Sequence, residues 1–460
     1  MTSWRNHYKV LFQLALPLAL SQASTMVVAF VDNVMVGSLG TTPLAASSFA
    51  NGIAILLFLF GMGILFGITP LIGSYEGAGD SKSSAKVVKS SYLVCGFVVL
   101  FCTLAGILGY FILPYMDQPE AVVKLALPYY LIVIFSFIPQ FIFIQFKQIG
   151  EGFGNTVYAM KAAIACNVLN VIFNYIFIFG KLGIPAMGLN GAGVGTLLSR
   201  SIMPVMMYFS FPKIDALAHM VKSHPKVKLS YKKAREILSL GFPIAGQILL
   251  EVLLFSGAAV MMGWIGEVPL AAHQIALSFC SFTFMVITGF GMAATIRISK
   301  LSTVGSNFDG GSNFDGGSNL AVDRKDELWR VIITSVTSSL FFMSIMGAVF
   351  YLLRFELASI FSSDEAVIAQ AASLLAIAAC FQLIDGIQGV CLGILRGLSD
   401  VKVAMLIAAV SYIGIGMPVS YLCAFNLGYG PDGVWYGFII SILFACVAYC
   451  WRIYRSIGCL

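Results

Sequence analysis

The sequence contains twelve apolar runs, and each is long enough to cross a lipid bilayer as a helix. They lie near residues 10–36, 43–73, 85–113, 121–147, 156–180, 190–212, 234–265, 269–300, 328–353, 366–395, 402–425 and 433–454. Only 10% of the 460 residues are charged, whereas about a quarter are charged in an ordinary soluble domain. The chain is therefore predicted to be an all-α integral membrane protein with twelve transmembrane helices.

An internal repeat divides the twelve runs into two sets of six. Residues 35–46 read MVGSLGTTPLAA and residues 261–272 read MMGWIGEVPLAA, which is a match at an offset of 226. The pairs matched at this offset include Pro17 and Pro243, Gly37 and Gly263, Gly40 and Gly266, and Gly63 and Gly289. Because many secondary transporters consist of two copies of one unit, we expect two pseudo-symmetric six-helix bundles. The predicted lobes are residues 1–212 and 234–460, and a basic linker, residues 213–233, joins them.

A second match, at an offset of 245, relates residues 152–160 to residues 397–405. It places Asp385 opposite Gln140, so the two copies differ chemically at this position.

The distribution of Lys and Arg predicts the orientation in the membrane. With the N-terminus inside, the predicted outer loops keep only Lys124, Lys181 and Arg354, and both termini are expected in the cytoplasm. The charge of the basic linker requires no nucleic acid partner, because anionic lipid and the insertion rule explain it.

Residues 305–319 read GSNFDGGSNFDGGSN and have too few apolar side chains to form a core. We interpret them as a flexible low-complexity insert. The ligand spacing of an EF-hand calcium loop is absent, and no function is assigned to the segment.

Three carboxylates, Asp32, Glu251 and Asp385, lie well inside predicted spans. Glu251 is about 22–24 Å along the helix from the nearest charges on either side. Placing such a group in hydrocarbon costs on the order of 3 kcal/mol, so we expect functional side chains that face a cavity. The alternative is a protonated, hydrogen-bonded packing residue.

Glu251 and Asp385 lie at similar depth in the same predicted lobe. Two carboxylates repel in a low dielectric, and a cation between them relieves the repulsion. The pair is therefore predicted to bind Na⁺ or to hold a shared proton.

Asp32 belongs to the other predicted lobe, which also carries Asn170, Asn174 and Thr196 within its spans. Asn170 and Asn174 are four residues apart and share one helix face. Their amides and the Thr196 hydroxyl are suitable donors to a buried carboxylate, although interhelical packing alone is an alternative.

The chain resembles the multidrug and toxic compound extrusion (MATE) transporters of the NorM-type branch. The resemblance rests on residues 30–40, 167–183, 241–255, 269–279 and 381–397, and it extends from about Asn6 to Arg455 apart from the insert. It implies an antiporter with two lobes around a central cleft, which exports organic cations in exchange for Na⁺ or H⁺.

The resemblance also implies roles for individual residues. Asp32 matches the acidic network of the N-lobe, and Glu251 with Asp385 matches the cation site of the C-lobe. The candidate substrate or proton network comprises Asn170, Asn174, Thr196, Gln140, Phe381 and Gln388. Many NorM-type relatives have a tyrosine where this chain has Phe381, so one hydroxyl contact to sodium or substrate is missing.

We expect cationic amphiphilic small molecules as substrates, a bacterial inner-membrane location, a monomeric state and no cofactor beyond the coupling ion. The alternatives are a lipid-linked flippase of the same broad superfamily and an ion channel. A flippase for anionic headgroups should have a basic cavity, and a channel should have a filter or an oligomeric pore. No enzymatic activity is expected, because the sequence has neither a nucleophile–base pattern nor a metal-binding cysteine spacing.

Overall fold

The computed structural model describes residues 3–303 and 317–458, with side chains from residue 324 onward in the second range, and nearly all of these residues are helical. The helices are α1 Trp4–Gly37, α2 Thr41–Leu65, α3 Ile68–Gly77, α4 Ser81–Ile112, α5 Glu120–Gly152, α6 Val157–Phe179, α7 Leu189–Ser210, α8 Asp215–Ser223, α9 Tyr231–Ile265, α10 Glu267–Leu301, α11 Gly317–Leu352, α12 Arg354–Ser359, α13 Glu365–Gly397, α14 Val401–Ala409, α15 Met417–Tyr421 and α16 Gly430–Gly458. Two π-helical segments, Val410–Gly416 and Leu422–Asn426, flank α15.

Each of the twelve predicted spans coincides with one continuous helical stretch. Most are single helices, whereas residues 43–73 correspond to α2 and α3, and residues 402–425 correspond to α14, α15 and the two π-helical segments. In the part of the chain that the structure describes, 11 stretches are long and apolar enough to cross a membrane. The twelfth span is α7, whose 22 residues extend about 33 Å, although its composition is more polar. The all-α, twelve-helix prediction is confirmed.

Large apolar side chains cover much of the outer surface of these helices. Leu108 is 64% exposed, Phe111 63% and Phe341 70%. Contiguous apolar surface of this kind is unfavourable in water but is matched by lipid chains. The surface therefore agrees with a membrane-embedded protein.

Two segments differ from the sequence-based expectation. The basic linker contains α8, because Leu217 and Met220 lie on one face of this short helix and are buried. Residues 305–316 of the predicted insert lie outside the described residues. Its last three residues, 317–319, are instead the start of α11, which was expected to begin near residue 328.

The chain divides into two compact units. One consists of Met1–Ala19 with Gly246–Leu460, and the other is Leu20–Ala245. The predicted lobes are separated by the basic linker, whereas the compact units divide within α1 and within α9. The two division points differ by the repeat offset of 226, so the two copies divide at equivalent positions.

Close backbone contacts explain these division points. A Cβ atom on Gly63 would lie 2.5 Å from the Cα atom of Ala245, so the start of α9 packs tightly against α2. In the other unit, a Cβ atom on Gly289 would lie 2.8 Å from the amide nitrogen of Ala19. Gly63 matches Gly289 and Ala19 matches Ala245 at the same offset, so equivalent residues make equivalent contacts.

The second offset also relates equivalent structures. Helices α5 and α13 each have 33 residues, and both of their ends differ by 245 in number. Gly154 follows α5 with φ +87° and Ser399 follows α13 with φ +61°, although a left-handed conformation is unfavourable for serine. The next amides, of Asn155 and Asp400, each donate to a carbonyl of the preceding helix at 2.9 Å.

Helices α5 and α13 are the central elements of their units. Helix α5 packs against α2, α4 and α7, and α13 packs against α10, α11 and α16. A polar side chain on the inner part of either helix is consequently enclosed by its neighbours.

The contact between α10 and α13 leads to a prediction about stability. A Cβ atom on Gly393 would lie 2.1 Å from the carbonyl oxygen of Gly291. We expect Gly393→Ala to destabilise the protein by about 1–3 kcal/mol, which thermal unfolding in detergent would measure as a lower Tm. Gly52→Ala is the control, because no atom lies within 4 Å of its added Cβ and alanine favours a helix. Equal Tm values for the two variants would contradict this packing.

Candidate functional site

Glu251 on α9 and Asp385 on α13 lie in the same compact unit. Asp385 is only 5% exposed, and Glu251 is partly buried. Asp385 lies within electrostatic range of Glu251, as their similar predicted depth suggested. The arrangement brings two acidic groups together in a poorly solvated region.

The carboxylate of Asp385 accepts no hydrogen bond from any residue that the structure describes. Neighbouring polar side chains have other partners: Gln382 pairs with Thr283 at 2.8 Å, and Gln388 donates to the hydroxyl of Tyr412. A buried carboxylate without donors is costly. Binding a proton or a cation would remove that cost.

Hydrogen bonds through Gln247 connect Glu251 to Arg396, a link that the sequence did not reveal. The Nε2 atom of Gln247 donates to Oε2 of Glu251 at 3.3 Å, and the Oε1 atom of Gln247 accepts from Arg396 at 2.6 Å. Arg396 also lies within electrostatic range of Glu251. Gln247 could have been suspected because it precedes Glu251 by one helical turn.

Tyr412 is a second residue that sequence reasoning missed. It lies in the π-helical segment Val410–Gly416, is 1% exposed, and is within electrostatic range of both Glu251 and Asp385. Single π-helical turns are frequent at functional sites because they displace side chains from the regular helical register. Tyr412 therefore places a phenol beside the carboxylate pair, from a helix other than the one that carries Phe381.

Phe381 itself lies in an aromatic cluster. Its ring centroid is 5.9 Å from that of Trp435 and 6.4 Å from that of Phe438, and Trp435 donates to His273 at 3.1 Å. These contacts give Phe381 a packing role one helical turn before Asp385.

In the other unit, the structure brings together Asp32 and the predicted polar residues. Asn174 donates to Oδ1 of Asp32 at 2.7 Å. In the orientation that pairs donors with acceptors, the side-chain nitrogen of Asn170 donates to Oδ1 of Asp32 at 3.0 Å. The side-chain oxygen of Asn170 then accepts from the hydroxyls of Ser199 and Thr196. Asp32, Asn170, Asn174 and Thr196 thus form one hydrogen-bonded network, and Ser199 is an additional member.

Arg200 provides a positive charge beside this network. It donates to the Ser136 hydroxyl at 2.7 Å and lies within electrostatic range of Asp32 and Tyr129. Tyr129 is in turn hydrogen-bonded to Asn51 at 3.1 Å. The spacing of four residues between Thr196 and Arg200 is a sequence signal that could have identified this neighbour.

Gln140 makes no hydrogen bond with the Asp32 network among the described residues. Its Oε1 atom is buried and has no hydrogen-bond partner among them. Gln140 and Asp385 are equivalent by the repeat and lie on the two central helices, so both copies place an unpaired polar group at this position.

No group of three or more His, Cys, Asp and Glu side chains in the described part of the chain could hold a metal ion. The carboxylates of Asp385 and Glu251 supply oxygen atoms, which are the ligand type that hard cations prefer.

A model of the MatE family matches residues 17–176, 243–306 and 316–422, which is more than half of the chain. The chain belongs to the MatE family. The resemblance to MATE transporters is therefore confirmed.

Relatives that match over nearly their full length support the NorM-type branch. This chain is 31% identical to the probable multidrug resistance protein NorM of Agrobacterium fabrum, with 97% of this chain and 93% of the relative covered. It is 30% identical to the multidrug resistance protein MdtK of Edwardsiella ictaluri, with coverage of 98% and 95%. The bent form of the Vibrio cholerae MATE transporter VcmN superimposes with a TM-score of 0.86 at 20% identity, covering 100% of this chain and 99% of VcmN. The fold is that of the MATE transporters.

Proposed function

We propose that the chain is a multidrug efflux antiporter, which exports organic cations in exchange for Na⁺ or H⁺ by alternating access. Membership of the MatE family and the near full-length similarity to NorM and MdtK support the transport of drugs. The observation that carries the coupling is the buried carboxylate of Asp385, which has no donor among the described residues and lies near Glu251.

The carboxylate pair acts as the coupling site in this proposal. With both groups ionised, Asp385 and Glu251 repel one another, and one bound Na⁺ or proton removes the repulsion. Gln247 and Arg396 fix Glu251 from the other side and so position it for the ion. A ligand shifts a conformational equilibrium only if its affinities for the two states differ. Cation and organic substrate therefore favour different states and oppose each other's binding.

The choice between Na⁺ and H⁺ depends on the oxygen atoms around the pair. Phe381 supplies none, whereas Tyr412 is within electrostatic range of both carboxylates and its hydroxyl accepts a hydrogen bond from Gln388. Sodium would need the carboxylate oxygens and further oxygen ligands, whereas a proton would require only one carboxylate.

Asp32 is proposed as a second acidic site, which binds a proton or attracts a cationic substrate. Its donors, Asn170 and Asn174, stabilise the ionised form. The acidic character of both sites favours cationic amphiphilic substrates over the anionic headgroups that a flippase would carry.

We propose that the protein acts as a monomer in the inner membrane of a bacterium and transports its substrates without breaking bonds. Inverted vesicles that contain the protein test this function directly. We expect an imposed Na⁺ gradient or an imposed pH gradient to drive ethidium transport, and the gradient that succeeds identifies the coupling ion. If neither gradient moves ethidium in vesicles with normal protein content, the proposed antiport is wrong.

The distribution of basic residues leads to a prediction about topology. Reporter fusions after Ser223, the end of α8, and after Leu460 should both report a cytoplasmic location, because positive residues favour the inner side. Activity of a periplasmic reporter at either position would contradict this orientation.

A further inference from the structure

A cavity of about 690 Å³ lies between the start of α4 and the loop that joins α8 to α9. The ionisable groups that line it are all basic: Lys82, Lys86, His224, Lys226 and Lys228. The volume is in the range of about 300–1,000 Å³ that is typical of small-ligand sites. The antiport mechanism proposed above makes no use of this cavity.

The loop is fixed to α4 by side-chain hydrogen bonds. The Ser90 hydroxyl donates to the Ser230 carbonyl at 2.9 Å and accepts from the Ser230 amide at 3.1 Å. At the other end of the loop, α8 packs against α4 and buries Leu217 and Met220. Because both ends are attached, the cavity is present before a ligand binds.

The four lysine ammonium groups make no hydrogen bond or ion pair with other described residues. Asp80 is within electrostatic range of Lys86, but its carboxylate caps α4 by accepting from the Ser83 amide at 2.9 Å. Positive charges that converge on a concave surface repel one another, and an anion between them removes this cost. The N-terminus of the long helix α4 adds a favourable partial positive charge.

We propose that this basic cavity binds a phosphate-bearing anion. Lysine ammonium groups are well suited to phosphate because they act as compact charges. The anion has two sources of the same chemistry, the headgroup of an anionic phospholipid and free phosphate. The cavity volume is more than a single phosphate ion requires, and lysines near an anionic membrane surface each favour binding.

Two variants with equal loss of charge test the proposal. The cavity variant replaces Lys82, Lys86, Lys226 and Lys228 by glutamine. The control variant replaces Lys89, Lys213, Lys222 and Lys232, which are exposed lysines of the same region that do not line the cavity. Native mass spectrometry of the full chain in detergent would measure retention of phosphatidylglycerol, with phosphatidylcholine as the neutral lipid.

We expect the parent and the control variant to retain phosphatidylglycerol in preference to phosphatidylcholine. The cavity variant should bind phosphatidylglycerol at least about tenfold more weakly. Excess inorganic phosphate should displace the lipid from the parent if both occupy the cavity. Binding of inorganic phosphate without binding of phosphatidylglycerol would support the site and identify free phosphate as the source.

Equal losses in the cavity and control variants would show that diffuse charge, and not the cavity, holds the anion. Equal binding by parent and cavity variant, or no binding of either phosphate source, would overturn the proposal. If the fourfold cavity variant does not remain monodisperse, Lys226→Gln with Lys228→Gln is compared with Lys213→Gln and Lys222→Gln. All four of these lysines are exposed, so the substitutions leave buried packing intact.

Discussion

Glu251→Gln and Asp385→Asn are each expected to abolish gradient-driven ethidium transport while leaving the amount of protein in the membrane unchanged. Each substitution keeps the shape of the side chain but removes the charge that a coupling ion must neutralise. In the parent, saturation with the coupling ion should weaken ethidium binding in detergent by a factor of about 5–150, the usual range for coupled sites. Fluorescence titration of ethidium with and without Na⁺, and at two pH values, would measure the effect.

The matched controls are Glu267→Gln and Asp326→Asn, which remove the same kinds of charge from exposed positions in the same unit. They should transport ethidium like the parent. If ethidium affinity in the parent responds to neither Na⁺ nor acid, the antagonism is absent and the coupling mechanism is wrong even where transport is observed. Normal transport by the Asp385→Asn variant would exclude this carboxylate as the coupling group.

Asp32→Asn is expected to reduce efflux by at least about tenfold for several organic cations, with folding retained. The substitution removes the negative charge beside Arg200 but preserves an oxygen that can still accept from Asn174. Accumulation of ethidium in cells and the elution profile of the purified variant would separate loss of transport from loss of folding.

Asp215→Asn, at the exposed start of α8, is the control for this second prediction. Asn174→Leu removes the closest donor to Asp32 and should cause a smaller defect in the same direction. Full activity of Asp32→Asn with every substrate would reduce Asp32 to a packing residue.

The sequence predicted the helices well because apolar runs in lipid admit few other structures. It also predicted that Asn170 and Asn174 share a face and suit a buried carboxylate, because their spacing of four is a local property of the helix. The network with Asp32 required only that α1 and α6 be neighbours. That expectation came from the resemblance to a known family rather than from spacing.

The remainder of the candidate site depends on contacts between distant parts of the chain. Arg396 donates to Gln247, which is 149 positions earlier in the sequence, and no local sequence pattern predicts that contact. Tyr412 is brought near the carboxylates by a π-helical segment, whereas the apolar run predicted regular α-helix. The lack of a donor for Asp385 is likewise invisible in sequence, because it depends on how Gln382 and Gln388 are already paired.

The first part of α1 belongs to the unit that contains the second repeat, and the first part of α9 belongs to the unit that contains the first repeat. This exchange of helical segments has a consequence for biosynthesis. The unit Leu20–Ala245 cannot complete its packing until the ribosome has made the first half of α9, because Ala245 fills the space beside Gly63. Residues up to Ala19 are made first but belong with Gly246–Leu460, so they wait through most of translation for their partners. A break in the basic linker would leave each fragment without the helical half that it needs. The two repeats are therefore expected to mature as one interdependent whole rather than as successive independent domains.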